Sequence, residues 1–396
     1  MAEDLTTIIT SLGITNESFL AIVVIVLLVI GAVVVVIVSR PVLDIYPYLL
    51  PNAKIRARKG RLFDEKQFAD FIEADSGKEI IHYLRGFPDY SFHVDTHFEK
   101  DLIATAVNHQ IEKVLDIQLG ETYNLISRIV PDNIKKVFKV LAKKSDIENI
   151  KTLLVSKEAN LTNEKTEELL IPVGSLYHTF EQLIDSRTVE DVVAGLDGTE
   201  YGSVLENALN NYKETKTVLH LESALDKYYL ESLLSAANVP AEDNTRILYS
   251  YIGSQVDIAN LKIILRSKVD GLNYETIAPH IIEDGYQIKE WKLKDLIESE
   301  NVTGIINGLE NTDYFPVLNE TVDIYNESGS VSIFEKALDS YLSNYANSLA
   351  LKNPLGVGPI IGYTNKKEKE IKNLKIIVRA KREAGLSQSA LEEMLL

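Results

Sequence analysis

Hydrophobic positions along most of the chain recur every three or four residues, which is the spacing of one face of an α-helix. The pattern holds almost throughout from Tyr46 onward, and Ile258, Leu261, Ile264 and Leu265 are a clear example. No run of alternating apolar and polar residues long enough for a buried β-strand stands out. The sequence therefore predicts an all-α fold.

One stretch near the N-terminus follows a different pattern. Phe19–Val38 contains 20 consecutive residues without a charged or polar side chain. A helix rises 1.5 Å per residue, so this stretch spans about 30 Å, the hydrocarbon thickness of a bilayer. A cleaved secretion signal would need a basic start and a shorter apolar core, whereas the preceding residues include acidic side chains and no basic ones. We predict a transmembrane helix at 19–39, and its proteolytic removal after targeting is the alternative.

The charges that follow this helix predict its orientation. Residues 40–66 carry seven basic and three acidic side chains, and positively charged flanks stay in the cytoplasm. We therefore predict a single-pass protein of the cell membrane, with a short extracytoplasmic tail at 1–18. The bulk of the chain is then cytoplasmic, and the lipid bilayer is a partner through 19–39.

The helical part of the chain repeats itself. An Asn-x-Lys tripeptide occurs at Asn149–Lys151, Asn260–Lys262 and Asn373–Lys375, with a weaker copy at Asn52–Lys54. A Leu-Asp pair recurs with the same period, about 111 residues, and a fixed period indicates duplicated structural units. Its aspartates are Asp116, Asp226 and Asp339.

These landmarks divide the helical part into three units. We predict helical repeats at 40–143, 144–254 and 255–396, and the last of them ends in the truncated start of a fourth repeat. Repeats this long can each hold a small helical core and pack as subdomains.

A third landmark recurs between the other two. Leu-Arg-Gly86, Leu-Asp-Gly198 and Leu-Glu-Asn311 are each followed by an acidic residue and a tyrosine. Glycine and asparagine adopt φ > 0 most readily, so we expect each of these three residues to end a helix in the left-handed conformation. The tyrosines are Tyr90, Tyr201 and Tyr314.

The recurring charges suggest ion pairs. A cluster of three carboxylates built from Asp116, Asp226 and Asp339 is conceivable, but each copy should hold its aspartate in the same way inside its own unit. We therefore predict that each aspartate pairs with a lysine of a neighbouring Asn-x-Lys helix. The lysines are Lys151, Lys262 and Lys375.

Composition narrows the classes of function. The chain has 396 residues, a formal net charge of −17 and no cysteine. The absence of cysteine excludes disulfides, thiolate metal sites and cysteine nucleophiles. The negative charge disfavours nucleic acid, because phosphate binding needs a basic surface, and it leaves a basic protein partner open.

Candidate chemistry is sparse. His93 and His97 are four residues apart and could reach one metal ion from a helix, but Val94 stands where zinc peptidases have their glutamate. Gly356 and Gly358 lack the Gly-Lys-Ser/Thr of a phosphate loop, so we expect a helix break there. We predict no catalytic residue, no cofactor site and no metal site.

Several longer motifs resemble a known family, the C subunits of the A-type (V/A-type) rotary ATP synthases of archaea, which are related to the d subunits of V-type ATPases. The resemblance runs from about residue 46 to the end. The matching segments are Tyr46–Arg58, Glu148–Leu154, Leu170–Gly174, Glu222–Tyr229, Asp257–Lys262, Asn353–Pro359 and Glu370–Lys375.

This resemblance implies a fold and a role. It implies three similar helical subdomains around a pseudo-threefold axis, which together form a funnel. It also implies a non-catalytic rotor subunit, a socket that couples the membrane proteolipid ring to the central-stalk subunits during ion-driven ATP synthesis. Such a subunit binds no nucleotide itself.

Two other functions remain open on the sequence. One is a membrane-anchored helical adaptor unrelated to ATP synthesis, which the triplication alone would fit. The other is a membrane-tethered metal hydrolase that uses His93 and His97.

The predicted span departs from the family pattern, in which the subunit is peripheral and begins near Tyr46. A helix fixed to a rotor turns freely only if it lies near the axis or stays on the ring and clears the stator. We therefore expect Phe19–Val38 to enter the lumen of the proteolipid ring.

Overall fold

The computed structural model describes residues 16–97, 104–239, 242–381 and 388–395. The helices of the N-terminal half begin with a long α1. They are α1 (Asn16–Lys59), α2 (Glu65–Glu73), α3 (Gly77–Arg85), α4 (Pro88–His97), α5 (Ala104–Ile129), α6 (Asp132–Ala142), α7 (Lys144–Glu158), α8 (Asn163–Leu169), α9 (Tyr177–Leu183) and α10 (Val189–Gly195).

The C-terminal half continues in the same way, and one 3₁₀ turn (Ala278–His280) follows α14. None of the described residues forms a β-strand, and the predicted all-α fold is confirmed. The helices are α11 (Gly202–Thr215), α12 (Leu219–Ala237), α13 (Asp243–Val269), α14 (Tyr274–Ile277), α15 (Glu290–Glu298), α16 (Val302–Asn307), α17 (Tyr314–Asn319), α18 (Val322–Ser328), α19 (Ser332–Lys352), α20 (Gly358–Ala380) and α21 (Gln388–Met394).

The chain divides into two compact units, Met1–Leu49 and Leu50–Leu396. In the first unit the apolar side chains of α1 from Leu20 to Ile37 are exposed. Within the described residues, α1 is the one helix long and apolar enough to cross a membrane. It continues past residue 39, the predicted end of the span, to Lys59. Residues 1–15 of the predicted tail lie outside the described residues.

Local sequence signals fix many helix starts in the second unit. Asp64 and Gln67 form a reciprocal capping box at α2, and Thr188 and Asp191 form another at α10. In each box a side chain accepts the amide of the third helical residue, and that residue's side chain accepts the cap amide.

The predicted left-handed conformation is present at one position of three, and there it lies two residues beyond the helix C-cap, Leu196. Gly198 has φ 77°, whereas Gly86 is right-handed with φ −70° and Asn311 also lies outside the left-handed region. Left-handed C-cap residues occur instead at Lys216, one helix after the Gly198 landmark, and at Gly329, two helices after the Asn311 landmark. Gly86 belongs to a right-handed turn that leads directly into α4, so the end of its helix does not require a residue with positive φ.

Two hydrophobic cores in the second unit correspond to each other. One is built on α7, α11 and α12 and includes Leu153, Leu205 and Leu225. The other is built on α13, α17 and α19 and includes Ile264 and Leu338. The buried tyrosine of the Gly/Asn landmark belongs to the core in both cases, as Tyr201 and Tyr314.

The helical structure is interrupted between α19 and α20, as predicted from Gly356 and Gly358. Asn244 Oδ1 accepts the amide of Val357 at 2.9 Å, and Asn52 Nδ2 donates to the carbonyl oxygen of Gly356 at 3.0 Å. A Cβ atom on Gly356 would lie 2.0 Å from Asn244 Oδ1. Glycine is therefore required because the turn lies directly against an asparagine that holds it. The break places α20 against α19 and α5.

Candidate functional site

Three lysine–aspartate ion pairs join the helices that carry the repeated motifs, and the predicted pairing is confirmed. Lys151 Nζ lies 2.5 Å from Asp226 Oδ1, and Lys262 Nζ lies 2.5 Å from Asp339 Oδ1. Lys375 Nζ lies 2.6 Å from Asp116 Oδ1. Each pair ties an Asn-x-Lys helix to the helix that carries the Leu-Asp motif.

The third of these pairs joins distant parts of the chain. Lys375 belongs to α20, the last long helix, whereas Asp116 belongs to α5. The C-terminal copy of the tripeptide therefore supplies the lysine that Asp116 needs. The weaker copy at Asn52–Lys54 has a different contact, because the Asn52 amide is bonded to the turn before α20.

Burial differs among the three pairs. The side chain of Asp226 is 58% exposed, while those of Asp339 and Asp116 are 18% and 23% exposed. Burial would raise the pKa of Asp339, but Lys262 and Lys372 outweigh it and lower this pKa. Burial raises the pKa of Asp116, which Lys375 only partly opposes.

A second ion pair lies one helical turn from two of the lysines. Arg266 binds Glu335 through both nitrogens of its fork, and Arg379 binds Glu112 in the same way. The corresponding residue after Lys151 is Val155, which cannot pair with a carboxylate. The copy on α7 therefore has one ion pair where the other two have two.

A lysine six residues after each paired lysine binds a backbone carbonyl. Lys157, Lys268 and Lys381 donate to the carbonyl oxygens of Ile184, Ile297 and Ile72 at 2.5, 2.9 and 2.5 Å. In all three cases the ammonium group satisfies a carbonyl near the end of a short helix.

A buried carboxylate lies three residues before each repeated asparagine, and the sequence patterns above had not pointed to this set. The residues are Asp146, Asp257 and Glu370, whose exposed fractions are 1%, 0% and 3%. The signal was present in the sequence, because an acidic residue stands at the same offset in all three copies of the tripeptide.

The Glu370 site consists of Glu370, Lys367 and Tyr90. Glu370 Oε1 accepts from Lys367 Nζ at 2.6 Å and from the Tyr90 hydroxyl at 2.6 Å. Its other oxygen accepts the amide of Phe63 at 2.8 Å. The Lys367 ammonium also lies 4.6 Å from the centre of the Tyr90 ring. Burial and the neighbouring Glu370 raise the Tyr90 pKa well above its usual value.

The Asp257 site consists of Asp257, Tyr314 and Ser254. Asp257 accepts the Tyr314 hydroxyl at 2.8 Å and the amides of Gln287 and Ile288 at 2.7 and 3.3 Å. Ser254 stands at the offset that Lys367 has from Glu370, so no lysine neutralises the carboxylate from that position. Burial raises the pKa of Asp257 to about 6 although these hydrogen bonds oppose it.

The Asp146 site has the same outline with different partners. Asp146 accepts the Ser175 hydroxyl at 2.7 Å and the amide of Leu176 at 3.1 Å. The Tyr201 hydroxyl makes no hydrogen bond within the part of the chain that the structure describes. Its neighbour Glu200 pairs with Lys143 at 2.5 Å.

Glycine brings the loop against the carboxylate at two of these sites. A Cβ atom would lie 2.2 Å from Asp146 Oδ1 at Gly174 and 1.9 Å from Asp257 Oδ1 at Gly285. Gly174 also has φ 125°, a conformation that favours glycine. Both loops therefore require glycine for their amides to reach the carboxylate.

A cavity of about 450 Å³ lies among helices of all three motif copies and has charged walls. Its lining includes Asp116, Asp339 and the half-buried Glu368, which accepts the Tyr123 hydroxyl at 2.6 Å. Burial raises the pKa of Glu368, and Lys144 and the Tyr123 hydroxyl oppose it. The cavity lies where four of the ion-paired helices, α5, α7, α19 and α20, meet.

The two histidines considered as metal ligands lie apart from this cavity. His93 is buried, and its Nε2 lies 3.2 Å from Gln118 Oε1 and 3.1 Å from Glu121 Oε2. Burial lowers the pKa of His97. Among the described residues, no cluster of three or more side chains suited to a metal ion occurs.

Comparison with known proteins gives consistent matches. Residues 51–394 match the family described as ATP synthase (C/AC39) subunit. The C subunit of the A-type ATP synthase of Methanobrevibacter smithii is 56% identical over 396 residues, all of both chains. The protein of the same name from Methanothermobacter thermautotrophicus is 47% identical over all of both chains. That from Methanocaldococcus jannaschii is 41% identical over 87% of this chain and 85% of its own.

Proposed function

The chain belongs to the ATP synthase (C/AC39) subunit family, and from this premise we propose that it is a non-catalytic rotor subunit of an A-type ATP synthase. In this proposal it is a socket, with three helical subdomains arranged as a funnel. The socket couples a membrane proteolipid ring to the central-stalk subunits, so that ring rotation driven by ions turns the stalk.

The observation that carries the proposal is the closed set of ion pairs. Lys375 of the last long helix pairs with Asp116 of α5, and equivalent pairs hold the other two copies. A part that passes torque must resist deformation, and a link between segments far apart in sequence restricts the chain more than a local contact, because it closes a longer loop. The described residues present packed cores and ion pairs at the repeated lysines and aspartates.

The exposed apolar helix supports the anchoring part of the proposal. Its side chains from Leu20 to Ile37 have no protein cover within the described residues, and such a surface is stable in lipid or against other membrane helices. The relative from Methanobrevibacter smithii matches over the whole chain, this segment included. We propose that Phe19–Val38 is retained, has its N-terminus outside the cell and lies in the lumen of the ring.

The test is to solubilise native membranes gently, isolate intact complexes by size and identify every chain that runs with this one. Intact-mass measurement of the chain itself belongs to the same experiment. We expect an ATP-hydrolysing assembly, a proteolipid ring and a mass that includes residues 19–38. A chain that runs alone or with unrelated proteins would contradict the rotor assignment and favour an adaptor.

The position of the membrane helix has a separate test. Photo-crosslinkers at Ala21 and Val33 should react with helices of the proteolipid ring. Crosslinks to a stator component would contradict a position in the lumen and leave the rotor assignment to the first test.

A further inference from the structure

The basic side chains of α20 and its C-terminal end are unequally satisfied. Five of them bond a carboxylate or a backbone carbonyl, whereas Lys366 and Lys369 have no such partner among the described residues. The five that are bonded are Lys367, Lys372, Lys375, Arg379 and Lys381.

Lys366 and Lys369 are half-buried despite this. Burial lowers the pKa of both ammonium groups, and like charges add to the effect, Lys59 at Lys366 and Lys366 at Lys369. Within the described part of the chain, neither lysine forms an ion pair with a carboxylate. Partial removal of a cation from water without a counter-charge costs stability. The net charge of the chain is −17, so a group of lysines without acidic partners in the part that the structure describes differs from the rest of the protein.

Lys59 and Lys366 lie beside an apolar edge, whereas Lys369 faces a charged cavity. Lys59 and Lys366 line a pocket of about 390 Å³ that includes Leu351 and Pro354, and none of its described lining residues is acidic. Leu351 is 81% exposed. Lys369 lies one turn further along α20 and faces the charged cavity described above. Three lysines, Lys59, Lys366 and Lys369, therefore lie near an exposed apolar edge at Leu351.

We propose that Lys59, Lys366 and Lys369 form a docking site for an acidic helix of a protein partner. The helix would place successive carboxylates on the lysines and an apolar side chain against Leu351. The inference rests on the proposed function, because the partner would be another subunit of the rotor.

The arrangement favours a peptide over a phosphate group. Lys366 and Lys369 are three residues apart, a rise of about 4.5 Å on α20, and they face two different pockets. A phosphate prefers donors that converge on one point, often with the fork of an arginine. Carboxylates three or four residues apart on a helix match the spacing of these lysines.

Carbodiimide crosslinking tests the proposal directly, because it joins a lysine to a carboxylate only where the two are in contact. The intact complex from native membranes would be treated and its crosslinked peptides identified by mass spectrometry. The ion pairs Lys375–Asp116 and Lys372–Asp339 are internal controls, since both should yield crosslinks within the chain. We expect crosslinks from Lys366 or Lys369 to Asp or Glu of a second protein of the rotor.

A pair of double variants measures the contribution to binding. K366Q/K369Q should weaken retention of that protein at raised salt by about tenfold, because charge-assisted contacts are lost. K136Q/K139Q removes two lysines with the same spacing from the exposed face of α6 and should leave retention unchanged.

The possible outcomes separate this inference from the proposed function. If both control crosslinks form and Lys59, Lys366 and Lys369 give none to another protein, the docking site is wrong while the rotor assignment stands. Equal retention in the two double variants would overturn it as well. If the chain is absent from the ATP synthase, yet these lysines crosslink to an acidic segment of another protein, the docking site stands and the rotor assignment does not.

Discussion

The Glu370 site and the Asp257 site occupy the same position in two copies of the repeat. Each holds a buried carboxylate, but the partners of the two carboxylates differ. In both, a buried carboxylate accepts a tyrosine hydroxyl and a loop amide. Lys367 forms an ion pair with the carboxylate in the first site, whereas Asp257 is held by hydrogen bonds, with the more distant charge of Lys289 as a minor aid. The shared requirement is therefore an acceptor for the loop and the tyrosine. A lysine that neutralises the carboxylate is present in the Glu370 site only. Without such a lysine, the contribution of the Asp257 site to stability depends on pH.

Removing the lysine of the Glu370 site should have the largest effect. Lys367→Met removes the cation that pairs with Glu370, which is 3% exposed, so we expect a loss of about 3–5 kcal/mol in the free energy of unfolding. Urea denaturation of the full chain in detergent measures it. The double variant K367M/E370Q should recover most of the loss, because it removes both charges. A loss under about 1 kcal/mol in the single variant would show that the pair is not needed.

The Asp257 site should show itself in the pH dependence of stability. The pKa of Asp257 is about 6 in the folded protein, above its value of 3.8 in a free side chain, so the folded state binds the proton more tightly. Stability from this group is therefore present below about pH 4 and lost as the pH rises to about 6, a change of about 3 kcal/mol.

Asp257→Asn should remove this component from the pH profile of the urea midpoint, because asparagine keeps an acceptor oxygen and does not titrate. Asp226→Asn serves as the control, since Asp226 is more than half exposed. An unchanged slope between pH 4 and 6 in Asp257→Asn would mean that Asp257 titrates normally.

The lysine–aspartate ion pairs should differ in strength according to how deeply the aspartate is buried. Lys375→Met leaves Asp116 largely buried without its partner, and we expect a loss of about 1–2 kcal/mol. Lys151→Met leaves the more exposed Asp226, and the loss should stay under about 1 kcal/mol. Urea denaturation of both variants gives the difference. Equal losses would show that burial does not set the strength of these pairs.

The smallest effect on stability should come from adding the second ion pair that the copy on α7 lacks. Val155→Arg places a guanidinium one turn from Lys151, where Glu222 can accept it as Glu335 accepts Arg266. Burial raises the pKa of Glu222, so an adjacent cation should lower it. We expect a gain of about 0.2–1 kcal/mol. Val155→Gln, of similar length without charge, is the control and should give no gain.

Repetition in the sequence made part of this site predictable. The period placed each lysine and each aspartate at corresponding positions, and the three ion pairs followed. The buried carboxylates were missed although Asp146, Asp257 and Glu370 share one offset, because acidic residues in a charged helix ordinarily face solvent.

Other features depended on contacts between distant segments. Asn52–Lys54 is a weaker copy of the tripeptide, and spacing did not predict that Asn52 bonds the turn before α20. Gly86 was expected to be left-handed from its residue type, but the turn into α4 keeps it right-handed. The family resemblance covered the helical part from Tyr46 onward, and the apolar segment before it had to be interpreted from its hydrophobicity.

The pairing of Lys375 with Asp116 also has a consequence for biosynthesis. A ribosome makes α5 early and α20 almost last, so the emerging chain must wait for its final helix before Asp116, Phe63 and Tyr90 find their partners. The pairs Lys151–Asp226 and Lys262–Asp339 each join residues about 75 positions apart, so they can form while the chain is still emerging. The earliest copy to be synthesised is therefore the last to mature, and a prematurely terminated chain lacks the contacts that complete it.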